Sequence, residues 1–271
     1  MPPKSRTYQP QKVGAALAAQ NEALRAAVHR LTAPDLDRPT RLGSWRVREL
    51  VAHLSLALGH LPARLDDPTP QGPALSLADY AGLSRTMADA VDTAATAVAA
   101  DAFAGPPEEV AAAFDRSLDA VRSVLDGPAI TEAGRRIGLL AGRSMLLTDY
   151  LVTRLVEAVV HADDLADALG PEAFPHDRQA VAAVTRLLAD ALAARAPGGA
   201  VELRIPPYAV VQAVEGPRHT RGTPPNVVET DPLTWIRLAT GRTAWAAAVD
   251  AAAVSASGER SDLSPYLPVL G

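Results

Sequence analysis

The chain has 271 residues, 48% of them apolar, enough for a sizeable core and for two domains of ordinary size. Its 26 Lys and Arg against 31 Asp and Glu leave a net charge of −5, which supplies no cationic field for phosphates and argues against a nucleic-acid binder. With no cysteine there is no disulfide, no thiolate nucleophile and no Cys-ligated zinc, so any thiol chemistry must use a thiol that arrives as a small molecule.

Residues 1–10 carry prolines and no apolar periodicity, and read as loose chain. The start lacks the apolar core of a secretory signal, and no run of about 18 uncharged apolar residues spans a membrane. The expected location is the cytoplasm. Abundant alanine and the preference for arginine over lysine fit a GC-rich bacterial genome.

Residues 11–32 predict a helix, with Val13, Ala16, Leu17, Leu24, Val28 and Leu31 as its apolar side. The stretch APDLDRPTRLG reads as a loop. Ser44 is a good N-cap for a helix to about Leu65, its core side built from Trp45, Val47, Leu50, Val51, Leu54, Leu58 and Leu61. A second loop, DDPTPQGPAL, leads to a helix over 76–101 capped by Ser76. Gly105-Pro106-Pro107 breaks the chain, and Pro107 starts a helix to about Leu125. DGPAITEAGRRIG is an irregular connector with room for a short hairpin, and a helix from about Met145 to Leu169 stops at Gly170-Pro171. Long amphipathic helices joined this way describe a bundle.

Residues 177–195 are still helical, but after Pro197-Gly198-Gly199 the period falls to two, in VELRI and YAVVQAV. TDPLTWIRLATGR reads as a helix capped by Thr230 or Asp231, AAVSASG as a strand, and SDLSPYL as a short helix. The fold class is therefore mixed: an all-helical domain over 1–172, then a smaller α+β domain over 173–271, with the boundary near 170–178.

The helix TDYLVTRLVEAVVHADDLADAL carries Glu157 and His161 four residues apart, on one face and one turn from each other. Tyr150, Arg154 and Asp164 share that arc, and Leu151, Val152, Leu155, Val156, Val159 and Val160 fill the other side. A carboxylate and an imidazole stacked this way can hold one divalent metal, and His53 on a second helix is placed to supply a third ligand. His53 shares its own face with Arg46, Glu49, His60 and Arg64; His60 lies about 10 Å further along the axis, so one ion cannot take both histidines. Asp164 can orient the His161 imidazole. Both stripes equally fit the solvated faces of ordinary amphipathic helices. Metalloprotease, nucleophile-elbow and phosphate-loop motifs are missing. His29, His176 and His219 read as surface residues, and Trp235 and Trp245 as core.

RPTRLGSWRVRELVAHL, with Pro39, Thr40, Trp45 and His53, resembles the N-terminal signature of the mycothiol-dependent maleylpyruvate isomerase family, and Arg154, Glu157, His161 and Asp164 match its second signature. The two motifs agree in order and spacing. The resemblance implies a DinB-like four-helix bundle that holds zinc, or another divalent metal, through His53, Glu157 and His161. It also implies an actinobacterial setting. TDPLTWIRLATGRTAW and SASGERSDL resemble the sterol-carrier-protein-like domain often fused to such bundles. An Arg of that domain can face the metal in this family, which points to Arg242 as the catalytic cation, with Arg237 second.

The implied function is an isomerase or thiol transferase using mycothiol and a small electrophilic or unsaturated acid substrate. Thiolate addition to a C=C bond allows rotation before elimination. The alternatives are a carrier of lipid or another small apolar ligand through the second domain, and a zinc hydrolase with Glu49 or Asp164 as base.

Overall fold

The computed structural model describes residues 6–66, 72–132, 134–139, 143–170, 176–217 and 224–270. Its contacts divide the chain into two compact units: Tyr8–Ser76 with Thr86–Ala180, and Met1–Thr7 with Leu77–Arg85 and Val181–Gly271. The order of elements is α1 (Pro10–Val28), α2 (Ala33–Leu36), α3 (Val47–Gly59), α4 (Leu61–Asp66), β1 (Ala74–Leu75), α5 (Leu77–Ala100), α6 (Pro107–Leu125), β2 (Arg136–Gly138), β3 (Ser144–Leu146), α7 (Leu147–Leu169) and α8 (Arg178–Arg195). Then come β4 (Val201–Ile205), β5 (Ala209–Ala213), β6 (Val227–Thr230), α9 (Pro232–Ala239), α10 (Trp245–Asp250) and β7 (Val254–Ser257). A helical first part and a small α+β second part are the mixed fold expected.

In the helical unit α1 packs on α6 and α7, and α3 packs on the same two helices, so four long helices enclose one core. The apolar side expected for α1 is the buried one, and Leu17 and Leu24 are fully enclosed. Helix α6 begins at Pro107, where a missing N–H costs nothing. Helix α7 ends at Gly170, whose φ of 111° suits a residue without Cβ and whose N–H reaches Ala166 O at 2.9 Å. Pro171 lies outside the described residues.

Several local expectations are corrected. The APDL part of the expected loop is the helical turn α2, held by Asp35, whose Oδ2 accepts from Thr32 N at 3.0 Å and Thr32 Oγ1 at 2.6 Å. Ser44 does not cap α3. The first turn starts two residues later, where Glu49 Oε2 accepts from Arg46 N at 2.9 Å. A backbone bridge between Pro39 and Arg46 holds Ser44 in the preceding turn, and Thr40 donates to Trp45 O from both N (2.9 Å) and Oγ1 (2.7 Å). The single helix expected to Leu65 is interrupted at His60, the C-cap of α3. Of the connector after α6, Arg136–Gly138 forms β2, antiparallel to β3 beyond it, and β1 from the second expected loop joins β3 in parallel. This small sheet takes Met145 out of the helix expected to start there.

In the other unit the sheet order is β5-β4-β6-β7, with β4–β6 the parallel pair. Along β4, Val201, Leu203 and Ile205 are buried while Glu202 and Arg204 are half-buried, the period of two seen in the sequence. Trp235 is fully buried as expected and donates its indole N–H to Thr185 O at 3.3 Å, but Trp245, on α10, is only half-buried. Among the described residues no helix is long and apolar enough to cross a membrane.

Asp231 caps α9, its Oδ1 accepting from Leu233 N at 2.9 Å and Thr234 N at 3.0 Å. Asp231→Ala is expected to lower stability by about 1 kcal/mol, read as an unchanged slope and a lower midpoint in urea unfolding.

Candidate metal centre

Helix α7 has few exposed positions. Leu151, Val152, Leu155, Val159 and Val160 are buried, and the polar arc is largely drawn in with them: Tyr150 is 4% exposed and Asp164 fully enclosed, while Arg154, Glu157 and His161 are half-buried. A helix covered on every side must bring its polar residues inside with partners. The partners come from α3, which packs against α7 and carries a buried His53. The solvated-face alternative is thereby set aside for these residues.

His53 Nε2 lies 3.1 Å from Glu157 Oε2, and His161 Nε2 lies 3.4 Å from the same oxygen. One ligand atom from each of the three residues falls within 4.8 Å of the others. Bonds of about 2.0–2.2 Å at tetrahedral angles set ligand atoms roughly 3.3–3.6 Å apart, so the separations to Glu157 Oε2 suit a single cation. The donor set, two imidazoles and one carboxylate, is an open zinc set with room for a further ligand. The site therefore fits a metal by both distance and chemistry.

The surroundings hold each ligand. His161 Nδ1 pairs with Asp164 Oδ2 at 2.8 Å, which turns its Nε2 toward Glu157. An ionised carboxylate only accepts, so Nδ1 carries a proton, and in the neutral ring the lone pair is on Nε2. Asp164 Oδ1 in turn accepts from Arg41 Nε at 2.6 Å, and the same guanidinium reaches Asp163 Oδ2 at 2.6 Å. The His53 ring lies between Trp45, with centroids 5.1 Å apart, and the edge of His161 at 4.7 Å. Trp45 is itself anchored by its indole N–H on Asp92 Oδ1 at 2.6 Å. Arg154 stacks over the Tyr150 ring at 4.7 Å, donates to Ala57 O at 2.8 Å, and places Nη2 3.9 Å from Glu157 Oε1.

Burial opposes charge on all three ligands, and their neighbours decide the outcome. Burial holds the His53 imidazole below its ordinary pKa, and the positive charges of His161 and Arg154 add to this. Burial would raise the Glu157 carboxyl, but hydrogen bonds from His161 and His53, with Arg154, hold it well below the usual range. His161 is pushed up despite burial, because Asp164 and Glu157 both favour its charged form.

His60 is exposed at the end of α3 and stands outside the cluster. Glu49 caps α3, and Asp164 has both oxygens engaged, so the two bases considered for a hydrolase already hold structural bonds. Arg242 and Arg237 belong to the other compact unit, where Arg242 Nη1 donates to Thr240 O at 2.9 Å on the turn after α9. His29 is exposed as expected and pairs with Asp115 at 2.9 Å; His176 is half-buried rather than exposed, and His219 lies outside the described residues. Sequence reasoning missed Arg41, which sits in a loop without periodicity. The available signal was Asp163-Asp164 on a helix with no solvated face, since two enclosed acids require a cation.

Residues 17–166, more than half of the chain, match the family described as mycothiol maleylpyruvate isomerase N-terminal domain, and residues 177–269 match the one described as bacterial SCP ortholog. The chain belongs to the mycothiol maleylpyruvate isomerase N-terminal family. Among solved structures it is similar to a mycothiol-dependent maleylpyruvate isomerase, with 13% identity, a TM-score of 0.61, and 94% of this chain and 95% of that one covered. A His-to-Ala mutant of a mycothiol-dependent maleylpyruvate isomerase matches with 14% identity, a TM-score of 0.59 and the same coverage. At these identities the likeness shows the shared fold. No curated protein matches.

The depressed Glu157 carboxyl predicts a pH dependence in the metal-free protein. A carboxyl whose folded pKa lies below its unfolded value of about 4.3 contributes stability that is present above that value. That contribution is lost as pH falls through the folded pKa. Urea unfolding with chelator from about pH 6 to about pH 3 should show this acid loss in the wild type and a shallower one in Glu157→Gln.

Proposed function

We propose that this chain is a metal-dependent enzyme that uses a small external thiol, mycothiol, on a small electrophilic or unsaturated acid, as an isomerase or thiol transferase. The observation that carries the reading is the convergence of His53, Glu157 and His161 within 4.8 Å inside a family described by mycothiol. Those three residues would hold the cation, and zinc suits their donor set. When bound, such a cation supplies Lewis acidity that lowers the pKa of a sulfhydryl group to near neutrality.

The chain's own groups do the rest. Asp164 keeps the proton of His161 on Nδ1, so that Nε2 stays available as a donor. Trp45 walls one side of His53 and limits water around it. The chain has no cysteine, so the nucleophilic sulfur belongs to the co-substrate. An acid substrate needs a cationic partner, for which we propose Arg242, supported by the family likeness. A second reading, a carrier of lipid or another small apolar ligand, is favoured by the match of residues 177–269 to the bacterial SCP description.

Wild type grown with zinc is expected to carry one divalent ion per chain by elemental analysis, and His53→Ala and His161→Ala to lose it. A metal-free wild type, or both mutants fully loaded, would overturn the metal assignment. With maleylpyruvate and related electrophilic acids, turnover should require mycothiol. Arg242→Ala should lower kcat/KM by about 10- to 100-fold, the loss of one charge-assisted contact. Equal rates without thiol would end the thiol reading; no turnover with tight lipid binding would establish the carrier.

A further inference from the structure

We infer that Arg41 is a positioning residue of the metal centre, acting on His161 through Asp164. The inference rests on the metal reading above but adds a residue and a chain of bonds to it. Asp164 is fully enclosed, and each of its carboxylate oxygens takes a different partner. Oδ1 takes Arg41 Nε at 2.6 Å, and Oδ2 takes His161 Nδ1 at 2.8 Å. A carboxylate turns about its last torsion in a broad, two-fold well, so a single hydrogen bond does not fix its plane. A second bond to a planar, permanently charged guanidinium does. The plane of Asp164 sets the direction of the His161 ring, and with it the place of Nε2, 3.4 Å from Glu157 Oε2.

Arg41 is itself well held. Its loop is closed by the bridge between Pro39 and Arg46, by Thr40 on Trp45 O, and by Leu42 N donating to Thr40 Oγ1 at 3.2 Å. The same loop ends at Trp45, whose ring packs against His53. One short segment thus orients both imidazoles, one by a ring contact and one through a carboxylate. The guanidinium has a separate arm on Asp163 Oδ2 at 2.6 Å and a longer one toward Asp167 Oδ1 at 3.7 Å. Separate nitrogens on separate acids allow the positioning role to be distinguished from a merely structural one.

The test uses the full chain with wild type, Arg41→Lys, Arg41→Gln, Asp164→Asn, the Arg41→Gln/Asp164→Asn double variant, and Asp163→Asn. Zinc affinity is measured by competition with a chromophoric chelator. The visible spectrum of the Co2+-loaded protein reports ligand geometry. Nitrogen-15 shifts of the His161 ring in the metal-free protein, above its titration, report which nitrogen carries the proton. Arg41→Gln and Asp164→Asn are each expected to weaken zinc by about 10- to 100-fold and to alter the Co2+ spectrum. The double variant should lose little more than either single one, Arg41→Lys should recover part of the loss, and Asp163→Asn should bind as wild type does. In the metal-free protein the proton should sit on Nδ1 in wild type and be shared between the nitrogens in Arg41→Gln.

Wild-type affinity and spectrum in a folded Arg41→Gln, or additive losses in the double variant, would overturn the inference. If Arg41→Gln does not fold, Arg41→Lys with an unchanged spectrum and unchanged ring shifts overturns it instead. A wild type that binds no zinc sinks the metal reading, while the ring shifts still decide whether Arg41 orients His161.

Discussion

Glu157 sits on a helix whose remaining faces are covered by apolar neighbours, and a carboxylate in that setting must be compensated or neutralised. The compensation organises much of the helical unit. Two imidazoles approach one of its oxygens, and Arg154 approaches the other. One imidazole comes from α3, so α3 must lie against α7 in a fixed rotation. The other is one turn along α7 and needs its own acid, Asp164, which needs Arg41, which needs the closed loop before α3. Each added polar group settles the previous one and raises a further demand, until the chain of bonds reaches the half-buried Arg41. Buried networks of this kind are weak stabilisers but strong specifiers of one arrangement.

The separations of 3.1 and 3.4 Å around Glu157 Oε2 are close to those between ligands of one tetrahedral cation. The groups pull their neighbours in opposite directions: His53 is held toward neutrality, His161 toward charge. Neutral imidazole and ionised carboxylate are the ligating forms, so two of the three residues are already biased toward them.

Much of this was legible in the chain because helices write their faces at fixed intervals. Glu157, His161 and Asp164 share an arc by arithmetic alone, and β4 declares its buried side by alternation at Val201, Leu203 and Ile205. Arithmetic could not say whether the arc faced water or protein; that depended on the family likeness and then on the packing of α3. What stayed hidden had no period. Arg41 lies in a loop, β1 is a two-residue strand whose partner is far away in sequence, and the cap of α3 moved because Thr40 and Pro39 tie the loop to Trp45 and Arg46. Such features are set by tertiary contacts, which sequence spacing does not encode.

The division of ligands between helices has a consequence for assembly. Glu157 and His161 are joined as soon as α7 forms, since four residues separate them on one helix. His53 joins them across 104 residues of chain, so its arrival requires the packing of α3 on α7. The site is therefore half local and half tertiary. A cation that needs all three ligands binds the folded chain and not the unfolded one, and its binding free energy adds to the stability of the α3–α7 contact. Loss of His53 leaves a local pair that can still form, while loss of Glu157 removes the group on which both imidazoles converge. The carboxylate, rather than either histidine, is the centre from which the rest of the unit is arranged.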